Sequence, residues 1–587
     1  MSHDHAEPRP ETTTEPGSDG GPGSVSTATD VVTSQPSDSP TRVRRRRPRP
    51  NWLGLVVGLL AFGASITPSL LPRPWLFEGM ICGIGAAIGY GIGLLLSWFI
   101  RRFPGREPGP RSKQIAWRGL AVLGPLLFVY WLLLGVGWQN EVRTLVGMSD
   151  EGLGTALEVG VVAIPVAFLT VLAGRALRLF FTFVLGRLAR FLPKWLSAGL
   201  TVVIVSAVIY FAVTGVLFRS FIALMNNIYA QSNASTIEGS VQPTAAERSG
   251  SASSAASWET LGREGRNFVS HGPTVAELTA FSGVPAQEPV RVYVGLDTAP
   301  TAAERAALAV TELERTGAFD RGVLVVAGTT GTGWLEPQTV STVEYEWNGD
   351  SAIVGIQYSF LPSWISTLVD VDKAREAGTA LFDAVHAKWE TLPPSSRPKL
   401  IAYGLSLGSF SMQSPFASAA DLASRTQGAV FVGSPNFSQP WGQISRDREP
   451  GSPQWKPIYQ GGALVRFSGV PADLADPAGP WGPPRIAYAQ HANDPVVWWS
   501  PALLVQEPDW LREAPGPGRT PTMRFYPVLT FLQVTVDQFV GVNVPEGQGH
   551  NYAGAMPAVF AEVTTPPGWS AEKTATLTEL ILTKPIS

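Results

Sequence analysis

The chain has 587 residues, a net charge of −3 and one cysteine, with 45% hydrophobic and 16% charged residues. A single cysteine excludes an internal disulfide framework, so any folded domain must be held by its own core. A near-neutral balance gives no reason to expect nucleic-acid binding, and the length leaves room for several domains.

Residues 1 to about 41 are Ser, Thr, Pro, Gly and acidic residues with few apolar ones. Such a segment cannot bury enough surface to fold, so residues 1–50 are expected to be a disordered cytoplasmic tail. The tail ends in the cluster Arg42-Val43-Arg44-Arg45-Arg46-Arg47-Pro48-Arg49. Its place directly before a long apolar segment marks it as a membrane-flanking charge cluster rather than a nucleic-acid patch. The same position, about fifty residues in, makes that segment a retained anchor and not a cleavable leader.

Apolar stretches long enough to cross a bilayer lie at 52–71, 76–100, 117–138, 155–174 and 195–218. About five transmembrane helices are therefore expected over residues 51–218, with Trp52, Trp75, Trp117, Trp138 and Trp195 at their ends, where indole rings favour the headgroup zone. Arg101, Arg102, Arg106, Arg111 and Lys113 fill one loop, and Arg175, Arg178, Arg187, Arg190 and Lys194 another. The alternate loops are poor in basic residues. The N-terminus is thereby expected in the cytoplasm and everything after about Arg219 outside it. The basic stretch 178–191 is too short to span alone and reads as an interfacial helix. Gly54 and Gly58 on the first span, with Gly85, Gly89 and Gly93 on the second, are spaced for close helix packing. Charge within the spans is scarce, which argues against an ion or proton transporter. The one cysteine, Cys82, also falls within a span.

Residues 219–287 are rich in Ser, Ala, Gly and Asn and read as an extracytoplasmic linker; His271 there is a turn residue. From 288 to 587 some 300 residues remain, enough for one α/β domain. Strand-like runs at 290–295, 322–327, 351–358 and 399–403 alternate with helix-like segments at 301–316, 339–347 and 371–389. That alternation predicts a mostly parallel sheet with right-handed crossovers.

The last of these strands runs into Gly404-Leu405-Ser406-Leu407-Gly408, and 409–423 reads as helix. A strand that turns into a helix through G-x-S-x-G holds its serine in a strained turn, with the hydroxyl exposed and the following N–H facing a developing oxyanion. Ser406 is the expected nucleophile and Leu407 one oxyanion donor. Two strands earlier, Gly328-Thr329-Thr330-Gly331-Thr332-Gly333-Trp334 is expected to supply the other, from Thr330 or Gly331.

The chain has six histidines, and only His491 and His550 follow Ser406. His550 lies in a glycine-rich loop, Gly547-Gln548-Gly549-His550-Asn551, and is the expected base. Asp494, ending the strand-like run 485–490 and followed by Pro495, is the expected acid that orients it. Asp494 also fits a plain Asx turn, and His491 with Asp537 is an alternative pair in the reverse order. Two insertions, 434–484 and 496–540, carry many aromatic residues and either cap the site or pack the domain edge. The helix-like part of the second, 525–539, is too short and polar for a sixth span.

The runs Thr67-Pro68-Ser69-Leu70-Leu71-Pro72-Arg73-Pro74-Trp75, Gly89-Tyr90-Gly91-Ile92-Gly93, Gly331-Thr332-Gly333-Trp334, Tyr403-Gly404-Leu405-Ser406-Leu407-Gly408-Ser409 and Asp494-Pro495-Val496-Val497-Trp498-Trp499 carry a resemblance over roughly residues 50–585. The chain resembles the actinobacterial membrane α/β-hydrolase proteins, which join an N-terminal multi-span domain to a C-terminal catalytic domain. The resemblance implies an α/β-hydrolase fold and a serine nucleophile at Ser406. The expectation is a membrane-anchored serine hydrolase of the esterase or lipase kind. It would act on lipid or acylated envelope substrates outside the cytoplasmic membrane, with no cofactor, metal or nucleic acid. Acyl transfer on the same triad and a non-catalytic membrane scaffold remain alternatives.

Overall fold

The computed structural model describes residues 50–102 and 109–583. The expected tail and arginine cluster, residues 1–49, and Arg106 of the basic loop lie outside the described residues. Six apolar helices come first: α1 (Trp52–Ser65), α2 (Trp75–Arg101), α3 (Pro110–Leu145), α4 (Gly154–Leu188), α5 (Lys194–Tyr210) and α6 (Phe218–Ala234). A π-helical turn, Phe211–Leu217, joins α5 and α6 into one rod of 41 residues. Four units are long and apolar enough to cross a bilayer: α2, α3, α4 and the α5–α6 rod.

The expected first span, 52–71, is thus shorter than its composition suggested. Its helix stops after 14 residues, because Pro68 disfavours helical backbone at Thr67 and itself offers no N–H, and Pro72 and Pro74 follow. Asn51 donates from Nδ2 to Ser97 Oγ at 2.8 Å, so α1 begins beside the last turns of α2. The two helices pack through their glycines: a Cβ on Gly89 would lie 2.5 Å from Ala61 Cβ, and one on Gly93 would lie 2.6 Å from Gly54 Cα. The basic stretch 178–191 does not form a separate interfacial helix either. No proline interrupts it before Pro193, and α4 runs through to Leu188.

Past α1 the chain continues as an irregular loop, 66–74, that the C-terminal domain covers. Leu70 and Leu71 are completely buried, each burial contributing about 1.5–3 kcal/mol. The helix Leu529–Asp537 supplies the polar partners: Asp537 accepts from Ser69 Oγ at 2.9 Å and from Leu70 N–H at 3.0 Å, and Gln533 Nε2 donates to the carbonyls of Ser65 and Thr67. Arg73 pairs with Glu78 at 2.7 Å and donates to Thr67 O. The run from Thr67 to Trp75 is therefore a joint between the apolar helices and the C-terminal domain.

The segment expected as a linker, 219–287, is packed rather than loose. It finishes α6, then carries α7 (Gly262–Ser270) and α8 (Val275–Ser282), and it buries Leu261, Phe268 and Val269. Ser249 N–H donates to Arg291 O at 2.9 Å. The buried Arg291 guanidinium pairs with Glu344 at 2.6–2.7 Å and donates to Phe268 O.

Seven strands form one sheet: β1 (Val290–Val294), β2 (Val323–Gly328), β3 (Ser351–Ile356), β4 (Lys399–Leu405), β5 (Gly428–Val432), β6 (Val465–Ser468) and β7 (Arg485–Ala489). Their order is β1-β3-β2-β4-β5-β7-β6, and every pairing is parallel. Successive residues of these Val-, Ile- and Ala-rich strands are buried on both faces, as a parallel sheet requires. Intervening helices include α9 (Ala302–Arg315), α10 (Pro337–Glu346), α11 (Ser363–Val369), α12 (Val371–Glu390) and α13 (Leu407–Gln413). Helices α9, α12 and α13 join the cluster on one face with Val292, Leu324 and Leu400. Helix α10 joins the other face with Val325, Ile353 and Ile401. The stretch expected as one helix, 409–423, is broken after Gln413, ahead of Pro415, and resumes at Ala419–Arg425. Leaving β2 the chain turns to one face, and leaving β4 to the other. The crevice between those two carboxyl ends is where open α/β sheets place their sites.

Candidate active site

Strand β4 ends at Leu405, and α13 begins at Leu407. Ser406 between them has φ 58° and ψ −128°, a conformation uncommon for any residue with a side chain. Its N–H donates to Val432 O at 2.9 Å, which fixes the turn to the end of β5. The glycines of the motif are required by contact. A Cβ on Gly404 would lie 2.3 Å from Gly408 O, and one on Gly408 would lie 2.2 Å from Gly328 O. Helix α13 can therefore cross β2 and β4 only with bare backbone at these positions.

Asp494 follows β7 and caps the short helix Pro495–Trp498, where its Oδ1 accepts from Val496 N–H at 2.8 Å. The Asx-turn geometry and the acid position thus coincide in one residue. Its other oxygen, Oδ2, accepts from His550 Nδ1 at 2.7 Å and from Tyr552 Oη at 2.6 Å. A carboxylate only accepts, so the imidazole proton sits on Nδ1 and the Nε2 lone pair is left free. His550 Nε2 is buried without a hydrogen-bond partner. Its loop is held by the His550 N–H donating to Gly541 O at 2.7 Å.

Ser406 and His550 line the same cavity, of about 280 Å³. Leu407 lines it too, and as the first residue of α13 its N–H belongs to the first turn, where helix donors lack an internal carbonyl. Thr330 also lines it, but its N–H donates to Trp334 O at 3.0 Å within its own turn, leaving its hydroxyl as the group it offers. Gly331 is not part of the wall: a Cβ there would lie 2.5 Å from Leu361 O, pressed against the start of α11. Glu336 also reaches the wall, yet its carboxylate caps α10 through the N–H groups of Gln338 and Thr339. Apolar side chains, Trp334, Trp364, Phe437, Val496 and Trp499 among them, make up much of the remainder. Among the described residues no three His, Cys, Asp or Glu side chains are grouped to hold a metal.

The alternative pair separates. His491 donates from Nδ1 to Gly549 O at 2.9 Å and stacks on Tyr552 with ring centres 4.1 Å apart. Burial lowers its pKa to about 4, against the bond to Gly549 and the charge of Asp494. Asp537 is bonded to the loop after α1 instead, and burial raises its pKa to about 6. His271 closes α7, its Nδ1 donating to Asn267 O, and His386 stacks between Phe382 and Trp389.

Two residues escaped sequence reasoning. Tyr552 is the second side-chain donor to Asp494, accepts from His491 N–H at 3.0 Å, and stands two residues past His550 with nothing local to mark it. Gly433, with φ 53°, leaves room for the base: a Cβ there would lie 2.4 Å from His550 Cε1 and 3.1 Å from Asp494 Oδ2. A glycine directly after a buried strand was the available signal.

An alpha/beta-hydrolase family model matches residues 290–577, and the model of that family's N-terminus matches residues 66–273. No curated protein and no solved structure matches the chain.

Proposed function

Since the chain belongs to the alpha/beta-hydrolase family, we propose that it is a membrane-anchored serine hydrolase of carboxylic esters with lipid or acyl substrates. The observation that carries this reading is the Asp494–His550 pair, bonded at 2.7 Å beside the strained Ser406 turn in one cavity. Ser406 Oγ attacks the ester carbonyl while its proton passes to His550 Nε2, and the new imidazolium is held by Asp494. The oxyanion is met by Leu407 N–H and the Thr330 hydroxyl. Collapse breaks the bond to the alcohol, which leaves with the proton from His550. Water then attacks the acyl-enzyme and gives its proton to His550; the bond from the acyl carbon to Ser406 Oγ breaks, His550 returns that proton to Oγ, and the acid leaves.

The catalytic domain is read as extracytoplasmic. The loops after α1 and α3 are poor in basic residues and pack at its side of the helices. There Asp537 accepts from Ser69 and Leu70 of the first, and Glu141, near the end of α3, accepts from Thr522. Arg101, Arg102 and Arg190 belong to the opposite helix ends.

The test is fluorophosphonate labelling of the protein in membranes, comparing wild type with Ser406→Ala and His550→Ala. Labelling is expected in the wild type alone. A folded wild type that never labels, or a Ser406→Ala variant that labels equally, removes the reading.

A further inference from the structure

Trp364 of α11 is part of the cavity wall and yet 40% exposed. Its ring meets two others, Phe221 of α6 at 6.1 Å and Phe539 at 5.7 Å. Phe539 in turn stacks on Phe77 of α2 at 6.1 Å. Four rings therefore run in a row from one bilayer-long apolar rod to another, and the second of them is the wall of the triad cavity. Phe77 lies in the first turn of α2, at the end of an apolar helix, the depth that aromatic side chains favour in a membrane. Beside the row, Val542 of the cavity wall is 63% exposed and Leu368 of α11 is 59% exposed. An apolar patch at the mouth of a cavity marks a binding surface, and this one adjoins α2 and α6, whose Leu76, Met80, Leu224 and Ile228 are exposed.

We propose that the row Phe221–Trp364–Phe539–Phe77 is the rim of a lateral entrance. Through it the acyl chain of a bilayer-resident ester passes between α2 and α6 to reach Ser406. The proposal rests on the serine-hydrolase reading and adds to it the route and the physical state of the substrate. An ester dissolved in the bilayer then need not cross water. Its alkyl chain moves from lipid to aromatic wall with little change in apolar exposure, whereas transfer through water would expose every CH₂. The ester group is left at the depth of the triad, where polar donors converge.

The experiment uses the full chain in phosphatidylcholine vesicles and two probes of Ser406. One is a hexadecyl fluorophosphonate dissolved in the bilayer, the other a short water-soluble fluorophosphonate. Phe221→Ser and Phe77→Ser are compared with wild type; neither residue lines the cavity. Each folded variant is expected to label at least tenfold more slowly with the hexadecyl probe and within twofold of wild type with the soluble one. Equal slowing with both probes, or an unchanged hexadecyl rate in either folded variant, overturns the lateral entrance while leaving the hydrolase reading intact. A wild type that reacts with neither probe removes the hydrolase reading and the entrance with it.

Discussion

Gly433→Ala tests the triad without touching any of its members. A Cβ at this position would stand 2.4 Å from His550 Cε1 and 2.8 Å from its Nδ1. Carbon atoms in contact settle about 3.5–4.0 Å apart, so the ring must retreat by roughly 1 Å or more. Added to the 2.7 Å bond from Nδ1 to Asp494, that retreat carries the pair past the range of a hydrogen bond. A misplacement of about 1 Å at a catalytic group costs on the order of 100-fold. Positive φ at an alanine adds about 1–2 kcal/mol of instability, a loss of about 2–8 °C in Tm for a domain of ordinary size. The expected result is a fluorophosphonate rate at least 100-fold below wild type, in a protein that still melts cooperatively. Both are read from one preparation, by gel fluorescence and by thermal melting. A Gly433→Ala protein that reacts within tenfold of wild type would refute the reasoning, because His550 could not then act from the place assigned to it.

Asp494→Asn keeps the shape of the side chain but favours the wrong imidazole tautomer; an ester-hydrolysis rate about 10⁴-fold below wild type is expected, and a loss under tenfold would remove Asp494 from the triad. Tyr552→Phe deletes the 2.6 Å donor to the same carboxylate, a charged hydrogen bond of about 1.5–3 kcal/mol; ester hydrolysis is expected to fall by about tenfold or more, and an unchanged rate would make Tyr552 a packing residue only. His491 and Asp537 give opposite pH dependences of stability. The His491 pKa is depressed to about 4, so its contribution is present above pH ~6.5 and is lost as pH falls towards 4, by about 3 kcal/mol in full. The Asp537 pKa is raised to about 6, so its contribution is present below pH ~4 and is lost as pH rises through 6, again by about 3 kcal/mol. Relative to wild type, thermal melts between pH 4 and 6.5 are expected to show stability falling with pH in His491→Gln and rising with pH in Asp537→Asn; slopes of the same sign would contradict the burial argument.

The elements that sequence reasoning placed well are those set by nearby residues alone. β2, β3 and β4 are continuous apolar runs, α10 and α12 are periodic, and the serine turn is written in two glycines, Gly404 and Gly408, that the backbone contacts require. Asp494 and His550, which the structure brings to 2.7 Å, were singled out through chain order and the scarcity of histidine. What sequence hid depended on distant partners. The stretch 66–71 is as apolar as a membrane helix, and only its prolines and the burial of Leu70 and Leu71 under residues 529–537 make it a loop. Gly331 looked as suitable as Thr330 for the oxyanion, but its backbone is packed against Leu361 and Ser366. The segment 219–287 has a linker's composition, yet Arg291 and Arg266 tie it down by bonds to backbone carbonyls, which composition does not reveal.

The same loop carries the link between anchoring and chemistry. Asp537 ends the helix that covers residues 66–74, and four residues later Gly541 O accepts the N–H of His550. Leu71 reaches the other side of that contact: a Cβ on Gly549 would lie 3.2 Å from Leu71 Cδ1 and 2.6 Å from Gly541 O. The loop that presents the base therefore rests on one strip of the catalytic domain, and that strip rests on the loop after α1. Ser406 stands between β4 and α13 with its N–H on Val432 O at the end of β5, and Asp494 follows β7. Of Ser406, Asp494 and His550, it is His550 whose loop meets the segment after α1, through Gly549 and Leu71. On the proposed reading, the N-terminal helices then bear on the position of the base as well as on attachment to the bilayer.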